Sequence, residues 1–536
     1  MKKIFYFKEI YMDIRVRFAP SPTGHVHIGN IRTAIFNWLF ARHSGGKFLL
    51  RVEDTDKERS TQAAIDTLLE CMDWLGLDYD EDIFYQGRNA VAHVKAAERM
   101  LSIGQAYRPK VSGPEPAPLI FRIPWYTDNN ASVRIVGDAE IRTDPAMPVK
   151  ISNGGIQFSQ LNEKGKSAER SASLAGYHHL KAFDASGALI FEIENEIENI
   201  LKNDAVIELD NCARFAFERR EVAFEDIIKG ELAKPLDTMK DLVIVRGDGT
   251  PVFHLANVCD DIEQKITHII RGDDHVENTY RHIFLFQALG FPIPQYGHLP
   301  MIVNQAGKPY SKRDGDAYVG DFRNKGYLHE ALFNYLSLLG WSPGDDREKM
   351  SRNELIEAFT LERVKSSSAQ FDINKLGNMS GQYMAEMDPA IFIENTWRIA
   401  ESQGWASGID RAYFAKVAKL MQSRMKLFPQ VSTWKYFFFD EFEKDEKARA
   451  KVLADRKAAD AIKYVLENLS SGSDFSLGSI QKSIREAESL NGIQEGKLNQ
   501  PLRIALTGQT TGAGIYETAE MLGMEKTLKR LKSFIA

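Results

Sequence analysis

The stretch Arg17-Phe18-Ala19-Pro20-Ser21-Pro22-Thr23-Gly24-His25-Val26-His27-Ile28-Gly29-Asn30 constrains this 536-residue chain more than any other. Ile14 to Phe18 alternates apolar and basic residues, the pattern of a strand with one buried face. Pro20, Pro22 and Gly24 then exclude regular structure and force a tight loop. From Ile28 the apolar residues Ile31, Ala34, Ile35, Trp38 and Leu39 follow helical spacing to about Arg42. Strand, rigid loop and helix start in succession offer free backbone N–H groups and a positive dipole end at the carboxyl edge of a sheet, a place suited to an anion. His27 and Asn30 share one face of the first helical turn, and Gly29 between them leaves room for a ligand. A lone histidine there is also consistent with a helix cap; the shared loop with Ser21, Thr23 and His25 favours ligand contact.

The same logic recurs downstream. Lys47–Val52 reads as a second strand ending in Glu53-Asp54-Thr55-Asp56. Carboxylates at the end of a buried strand are costly unless they bind an amine, a ribose hydroxyl or a metal. Thr55 or Asp56 can also cap the helix expected over Glu58–Trp74, leaving Glu53 to face the crevice. A helical pattern follows over Gln86–Met100. Prolines 109, 114, 116 and 118 then crowd a short interval with β-rich pieces at Leu119–Ile123 and Ser132–Val136, so about 105–205 reads as an inserted α+β module. Leu242–Arg246 is a strand closed by a Gly-Asp-Gly turn. Thr267–Ile270 is another, ending in Arg271-Gly272-Asp273-Asp274-His275 before a helix over Glu277–Leu289. Two strand–loop–helix units with polar clusters at the strand ends are expected of a doubly wound parallel sheet with a crevice site. Gly307–Asp316 is a glycine-flanked basic loop, suited to clamping a polyphosphate, although such loops are often only solvated turns.

The remaining bounds are broad. No run of eighteen apolar residues occurs, and Lys8 and Glu9 break any signal-peptide core after Met1-Lys2-Lys3. Cys71, Cys212 and Cys259 are odd in number and widely spaced, which suggests a reducing cytoplasm and no structural zinc. Net charge is −6 (68 − 74), so a nucleic-acid partner must be met by local basic patches. The tail from 381 to 536 is helical by pattern, with an apolar stripe at Tyr413, Val417, Leu420, Met421 and Met425. Arg424, Lys426, Arg449, Lys526, Lys529, Arg530 and Lys532 thread through it, mostly as solvated helix faces.

His27-Ile28-Gly29-Asn30 with its flanks resembles the HIGH signature of class I aminoacyl-tRNA synthetases, and Ser311-Lys312-Arg313 resembles the core of their KMSKS loop. Together with Arg51–Asp56, Asn37–Arg42 and Asn334–Gly344, these residues resemble glutamyl-tRNA synthetase, well over about 14–105 and 215–385 and more loosely beyond. Glutaminyl enzymes usually carry asparagine within the Pro-Ser-Pro-Thr-Gly segment, so the likeness leans to glutamate.

The resemblance implies an α/β fold: a Rossmann-like class I catalytic domain, an inserted α+β domain and a C-terminal all-helical anticodon-binding domain. The boundaries expected are catalytic 1–105 and 211–325, inserted acceptor-binding 106–210, stem-contacting 326–380 and anticodon-binding 381–536. It implies activation of L-glutamate with ATP and Mg2+ and transfer to tRNA-Glu, with tRNA-Gln left open, by a cytoplasmic monomer without membrane contact. His25, His27 and Lys312 would be catalytic. ATP would be held by Gly29, Asn30, Asp274, His275, Ser311, Lys312 and Arg313, and glutamate by Arg17, Ala19, Ser21, Glu53, Phe253, Asn257 and Arg271. Within this reading Arg17 could instead bridge to Glu53 or Asp54. The chain departs from the family at Pro309, where lysine is usual with Lys308 as a neighbouring substitute, and at Phe253, where tyrosine is common. The CxC pair of zinc-binding relatives is absent after Ala106-Tyr107-Arg108, so no zinc is expected.

Overall fold

The computed structural model describes residues 13–22, 24–55, 60–110, 116–125, 130–472 and 474–536. The signal-peptide reading of Met1–Glu9, and the readings of Thr23, Asp56, Glu58 and Pro114, fall outside the described residues. The chain forms two compact units. One runs to Val319 and takes in Leu336–Phe371; the other comprises Gly320–Tyr335 and Asp372–Ala536. The stretch 326–380 is thus divided between them.

In the first unit the elements that build the site are β1 (Arg15–Phe18), α1 (Ile28–Ser44), β2 (Lys47–Val52), β3 (Phe84–Tyr85), β4 (Arg214–Asp226), α2 (Phe253–Glu263), β5 (His268–Gly272), α3 (Val276–Leu289) and β6 (Gln295–Leu299). β1 pairs in parallel with β2, Arg17 opposite Leu49, and β2 with β3. β5 pairs in parallel with β6, Arg271 opposite His298. The starts of β1 and β5 are tied by the Thr267 N–H to the Arg15 carbonyl (3.0 Å) and the Arg15 N–H to the Thr267 hydroxyl (2.9 Å). The order β3-β2-β1-β5-β6 therefore winds outward in both directions from the β1/β5 seam, and such a reversal leaves a crevice at the strands' carboxyl ends. α1 packs across β1, β2 and β5 and closes at Gly45, whose φ of 66° suits glycine at a helix end. The buried side chains Ile31, Ala34, Ile35 and Leu39 form its inner face, as their spacing dictates.

Two local expectations change. The described helix after β2 spans Gln62–Trp74, and its cap is Thr61, not Thr55, accepting the Ala64 N–H at 3.3 Å. The stretch after the Gly-Asp-Gly turn, given no element from sequence, is helix α2.

The inserted module has its own core, including Val149, Ile151, Phe158, Tyr177, Leu180, Phe215 and Phe217. It is not separated cleanly from the catalytic sheet. β4 pairs antiparallel with Val133–Arg142 inside the module, and its last residue, Asp226, pairs in parallel with Tyr296 of β6. One strand thus belongs to both layers. The acidic helix, Ile193–Asn203, buries Ile193, Ile197 and Ile200 on one face and leaves its glutamates to solvent.

The second unit is helical from Ile373 to Ile535 among the described residues. Asp372, Asp388, Asp410, Asp445, Asp455 and Ser476 cap successive helices by accepting backbone N–H groups. Its core gathers Phe392, Phe414, Val417, Trp434, Phe437, Ile462 and Leu531. Arg530 is not on a solvated face as expected. It is buried, donates to the Leu506 and Tyr436 carbonyls, and lies over the Phe442 ring at 4.5 Å.

Candidate active site

A cavity of about 670 Å³ opens at the β1/β5 seam. Its walls include Arg17, Ala19, Ser21, His27, Gly29, Asn30, Glu53, Phe253, Asn257, Arg271, Asp274 and His275. Of the residues expected to be catalytic or to bind ATP or glutamate, His25, Ser311, Lys312 and Arg313 stand outside its wall.

The start of α1 differs from the expectation of free N–H groups. The Ile28 N–H donates to the Ala317 carbonyl (2.9 Å), that of Gly29 to His27 Nδ1 (3.1 Å), and those of Asn30 and Ile31 to the His27 carbonyl (3.0 and 3.1 Å). Of the four donors, that of Ile28 is satisfied by the segment following the second signature loop and the other three by His27 itself. Val319 N–H likewise donates to the Val26 carbonyl at 3.0 Å. His27 is therefore both helix cap and cavity wall. Burial lowers its pKa, opposed by a hydrogen bond with the Tyr310 backbone. With Nδ1 accepting from Gly29, the proton of this neutral ring sits on Nε2. A side chain at position 29 would sit 3.3 Å from His27 Nδ1, so glycine keeps the cap and the wall compatible.

In the second signature loop, the Asp314 carboxylate accepts from the Ser311 N–H and hydroxyl, each at 2.9 Å, and from Asn304 at 2.7 Å. Lys312 Nζ lies 5.9 Å from the Tyr318 ring, which also neighbours the His25 ring at 5.0 Å. Pro309 and Tyr310 line the cavity, whereas Lys308 is exposed.

The charge balance of the floor is set by residues that the sequence reading did not foresee. Arg17 leaves β1 toward the cavity, but its Nε is 3.0 Å from Asp261 Oδ1 in a buried ion pair. Neither Glu53 nor Asp54 is its partner; Asp54 instead accepts the Gly87 N–H at 2.6 Å. Arg51, fully buried on β2, reaches the same Asp261 oxygen at 2.6 Å and Glu53 at 3.4 Å. Burial would raise the Asp261 pKa, but the two guanidinium groups hold it below the usual carboxylate range. Two cations and two carboxylates thus neutralise one another. The clue in the sequence was the pair Asp260-Asp261, on a helix that the polar pattern concealed. Asp260 meanwhile serves His93 (2.6 Å), Gln86 (2.7 Å) and Asn89 (2.9 Å).

Glu53 is aimed by its backbone, whose N–H donates to the Pro20 carbonyl at 3.0 Å, and by Asn257 Nδ2, which donates to its Oε1 at 2.9 Å. Asn257 Oδ1 is buried with no hydrogen-bond partner among the described residues, an acceptor left open at a cavity wall. On the other side stands Arg271, only 7% exposed. Nη2 donates to the Thr279 hydroxyl (2.7 Å) and the His275 carbonyl (3.2 Å), and Nε to His298 Nε2 (3.3 Å). Among the described residues no carboxylate pairs with it and its Nη1 carries no hydrogen bond. Burial pushes its pKa down to about 10, so it remains charged at neutral pH. Arg32, absent from the sequence reading, is a third buried cation on the wall, beside Arg17 and Arg271. It is held by the Leu339 carbonyl at 3.2 Å and the Pro300 carbonyl.

The described cysteines are all free. Apart from them, His178, His179 and Glu218 in the inserted module bring potential metal-ligating atoms within 4.8 Å of one another. Each histidine is already engaged, His178 with Glu218 (2.9 Å) and His179 with Glu194 (2.6 Å).

A parallel α/β sheet split at a ligand crevice, two signature loops joined at a helix start and a separate helical unit together define a class I synthetase. The family model of tRNA synthetases class I (E and Q), catalytic domain, matches residues 13–115 and 191–378, and that of an anticodon binding domain matches 385–535. The chain belongs to the class I tRNA synthetase (E and Q) family. It is 34% identical over 525 residues to the glutamate–tRNA ligase of Geobacter sulfurreducens, covering 98% of this chain and 99% of that one. It is also 34% identical over 526 residues to glutamate–tRNA ligase 1 of Erythrobacter litoralis, covering 97% and 95%. A crystal structure of a glutamate tRNA ligase from Elizabethkingia meningosepticum in complex with its amino acid matches with a TM-score of 0.65 and 25% identity, over 98% of this chain and 99% of that one. No described helix is long and apolar enough to cross a membrane.

Proposed function

We propose that this chain ligates L-glutamate to the 3′ end of tRNA-Glu. The observation that carries the reading is the polarity of the cavity. The cation Arg271, without a paired carboxylate, faces one side, and Glu53 with the open Asn257 oxygen faces the other. A guanidinium suits the substrate's side-chain carboxylate, and two acceptors suit its α-ammonium group. Ser21 and Ala19 lie on the same wall, and the Phe253 ring supplies an apolar side where a tyrosine hydroxyl would otherwise compete.

In the first step the glutamate α-carboxylate attacks the α-phosphate of ATP, and pyrophosphate leaves with its Mg2+. In the second, a hydroxyl of the terminal ribose attacks the adenylate carbonyl and AMP leaves. Positioning and charge stabilisation carry both. The reading assigns ATP to the α1 end of the cavity, against His27, Gly29 and Asn30, with Asp274 and His275 toward the adenosine. Lys312, Ser311 and Arg313 act once their loop moves inward to the phosphates, with His25 beside it. The inserted module, part of which lies outside both matched family models at 116–190, is assigned to the acceptor end of tRNA, and the helical unit to the anticodon.

Purified protein given ATP, Mg2+, glutamate and tRNA-Glu should form glutamyl-tRNA, AMP and pyrophosphate; a parallel arm with tRNA-Gln reads the breadth of acceptor. A preparation that charges glutamine in preference, or charges nothing, rejects the reading. His27→Ala should slow the chemical step by about 2–4 kcal/mol, the cost of a lost transition-state donor. It should also lower stability by about 1 kcal/mol, the cost of a lost cap. A loss of stability alone would leave His27 a structural residue.

A further inference from the structure

Arg271 can select a carboxylate only if its guanidinium is held in one orientation, and two of the residues that hold it, Thr279 and His298, are outside the cavity wall. His298, opposite Arg271 on β6, is fully buried, as is Asp226 at the end of β4. His298 Nδ1 is 2.6 Å from Asp226 Oδ2. Its Nε2 receives Arg271 Nε at 3.3 Å and lies 3.0 Å from the Thr279 hydroxyl, which itself accepts from Arg271 Nη2 at 2.7 Å.

Hydrogen positions in this chain of contacts are fixed by elimination. A guanidinium N–H can only donate, so His298 Nε2 must present its lone pair and the ring proton must sit on Nδ1. Asp226 accepts that proton with Oδ2. Its Oδ1 is occupied by the N–H groups of Ile228 (3.0 Å) and Lys229 (2.9 Å), and the His298 backbone N–H reaches Oδ1 at 3.3 Å and Oδ2 at 3.2 Å. Burial lowers the His298 pKa and the nearby Arg271 charge lowers it further, against the opposing bond from Asp226, so the ring is neutral. The Tyr296 ring lies parallel to it, with planes 2° apart and centroids 5.9 Å apart.

We propose that Asp226 and His298 are positioning residues for glutamate selection: Asp226 fixes the tautomer of His298, and His298 fixes the direction of Arg271. This rests on the reading that Arg271 receives the substrate's side-chain carboxylate. The device also explains why β4 must cross from the inserted module into the catalytic sheet, because that crossing delivers Asp226 behind β6.

Asp226→Asn tests it with little change of shape. The Ile228 and Lys229 N–H groups keep the amide oxygen on their side, which turns the amide nitrogen toward His298 Nδ1. A donor there forces the ring proton onto Nε2, directly against Arg271 Nε–H. The expected result is a rise of about tenfold in KM for glutamate, the scale of effect seen when a supporting partner is lost. The kcat and the KM for ATP should stay close to those of the parent and the preference over glutamine should narrow, while the thermal midpoint should fall, because the amide nitrogen also faces the His298 backbone N–H that Oδ2 accepts at 3.2 Å. His298→Gln, which returns an acceptor near the Nε2 position, should stay near the parent, whereas His298→Leu should behave like Asp226→Asn. Arg271→Gln is the reference. If it raises the glutamate KM while Asp226→Asn and His298→Leu leave it within twofold, the positioning role is overturned and the substrate reading stands. If Arg271→Gln itself leaves that KM unchanged, the substrate reading fails and takes the proposal with it. Equal losses in glutamate KM, ATP KM and kcat in Asp226→Asn would mark the pair as structural only and also overturn the proposal.

Discussion

Arg17 and Arg271 leave neighbouring strands toward the same cavity, and both are nearly buried. What separates them is what each guanidinium has already found. Arg17 is neutralised by Asp261 at 3.0 Å, whereas Arg271 has, among the described residues, a hydroxyl, a carbonyl, an imidazole and the Tyr296 ring at 5.5 Å but no carboxylate partner. A charge held without a partner can discriminate, because glutamine would leave it buried and unpaired while glutamate would not. Arg271→Gln should therefore raise the glutamate KM strongly and narrow the margin over glutamine, with ATP binding near normal; steady-state kinetics with both amino acids checks this. Arg17→Gln should act mainly on stability, lowering it by about 3 kcal/mol as a broken buried pair does, measurable by denaturant unfolding. A mere shift in KM without loss of stability would mean that Arg17 is a substrate cation after all. Both arginines were legible in the sequence as strand-end cations. Their difference was not, since Asp261 is 244 positions from Arg17.

At the scale of elements, the strands and helices follow closely from hydrophobic period and turn residues. β1, α1, β2, β5 and α3 match the sequence pattern to within a few residues. Where the pattern was silent, as in α2, polar residues needed for the floor network interrupt the helical stripe. Edges are stitched by charges, and these respond to pH. Glu81 accepts from Arg15 at 2.7 and 2.9 Å and from Lys47 at 3.0 Å, clipping the starts of β1 and β2. The Arg15 hydrogen bonds lead in lowering its pKa to about 2, from an ordinary 4.5. A depressed folded-state pKa contributes stability that is present above the ordinary value and lost as pH falls toward the folded one. Glu81→Gln should thus be less stable than the parent at pH 7, and the gap should close between about pH 4.5 and 2. The side chain is 36% exposed, so solvent screening limits the gap to about 1 kcal/mol or less. Equal gaps at pH 7 and pH 2.5 in thermal melts would show that packing, not charge, joins the strands.

Over the whole molecule the net charge is −6, so a polyanionic RNA must be held by local basic faces against an unfavourable overall field. Raising salt from about 50 to 200 mM should weaken tRNA binding by two orders of magnitude or more if several phosphates are contacted, with a much smaller effect on KM for glutamate. Filter binding across that range checks it, and a flat response would exclude phosphate-dominated binding. What the sequence by itself determined is local: the proline-glycine loop between strand and helix, the second basic loop, the polar clusters at strand ends and the helical tail. These are properties of neighbours in the chain, where backbone stereochemistry and hydrophobic period act directly. The tertiary structure alone decided which N–H groups at the start of α1 were free, which arginine was already neutralised, and where Arg32 and Arg51 stood. It also made one strand, Arg214–Asp226, serve both the inserted module and the catalytic sheet. The reason is that the availability of a buried charge or donor depends on the group packed beside it, and here those groups come from segments dozens to hundreds of residues away.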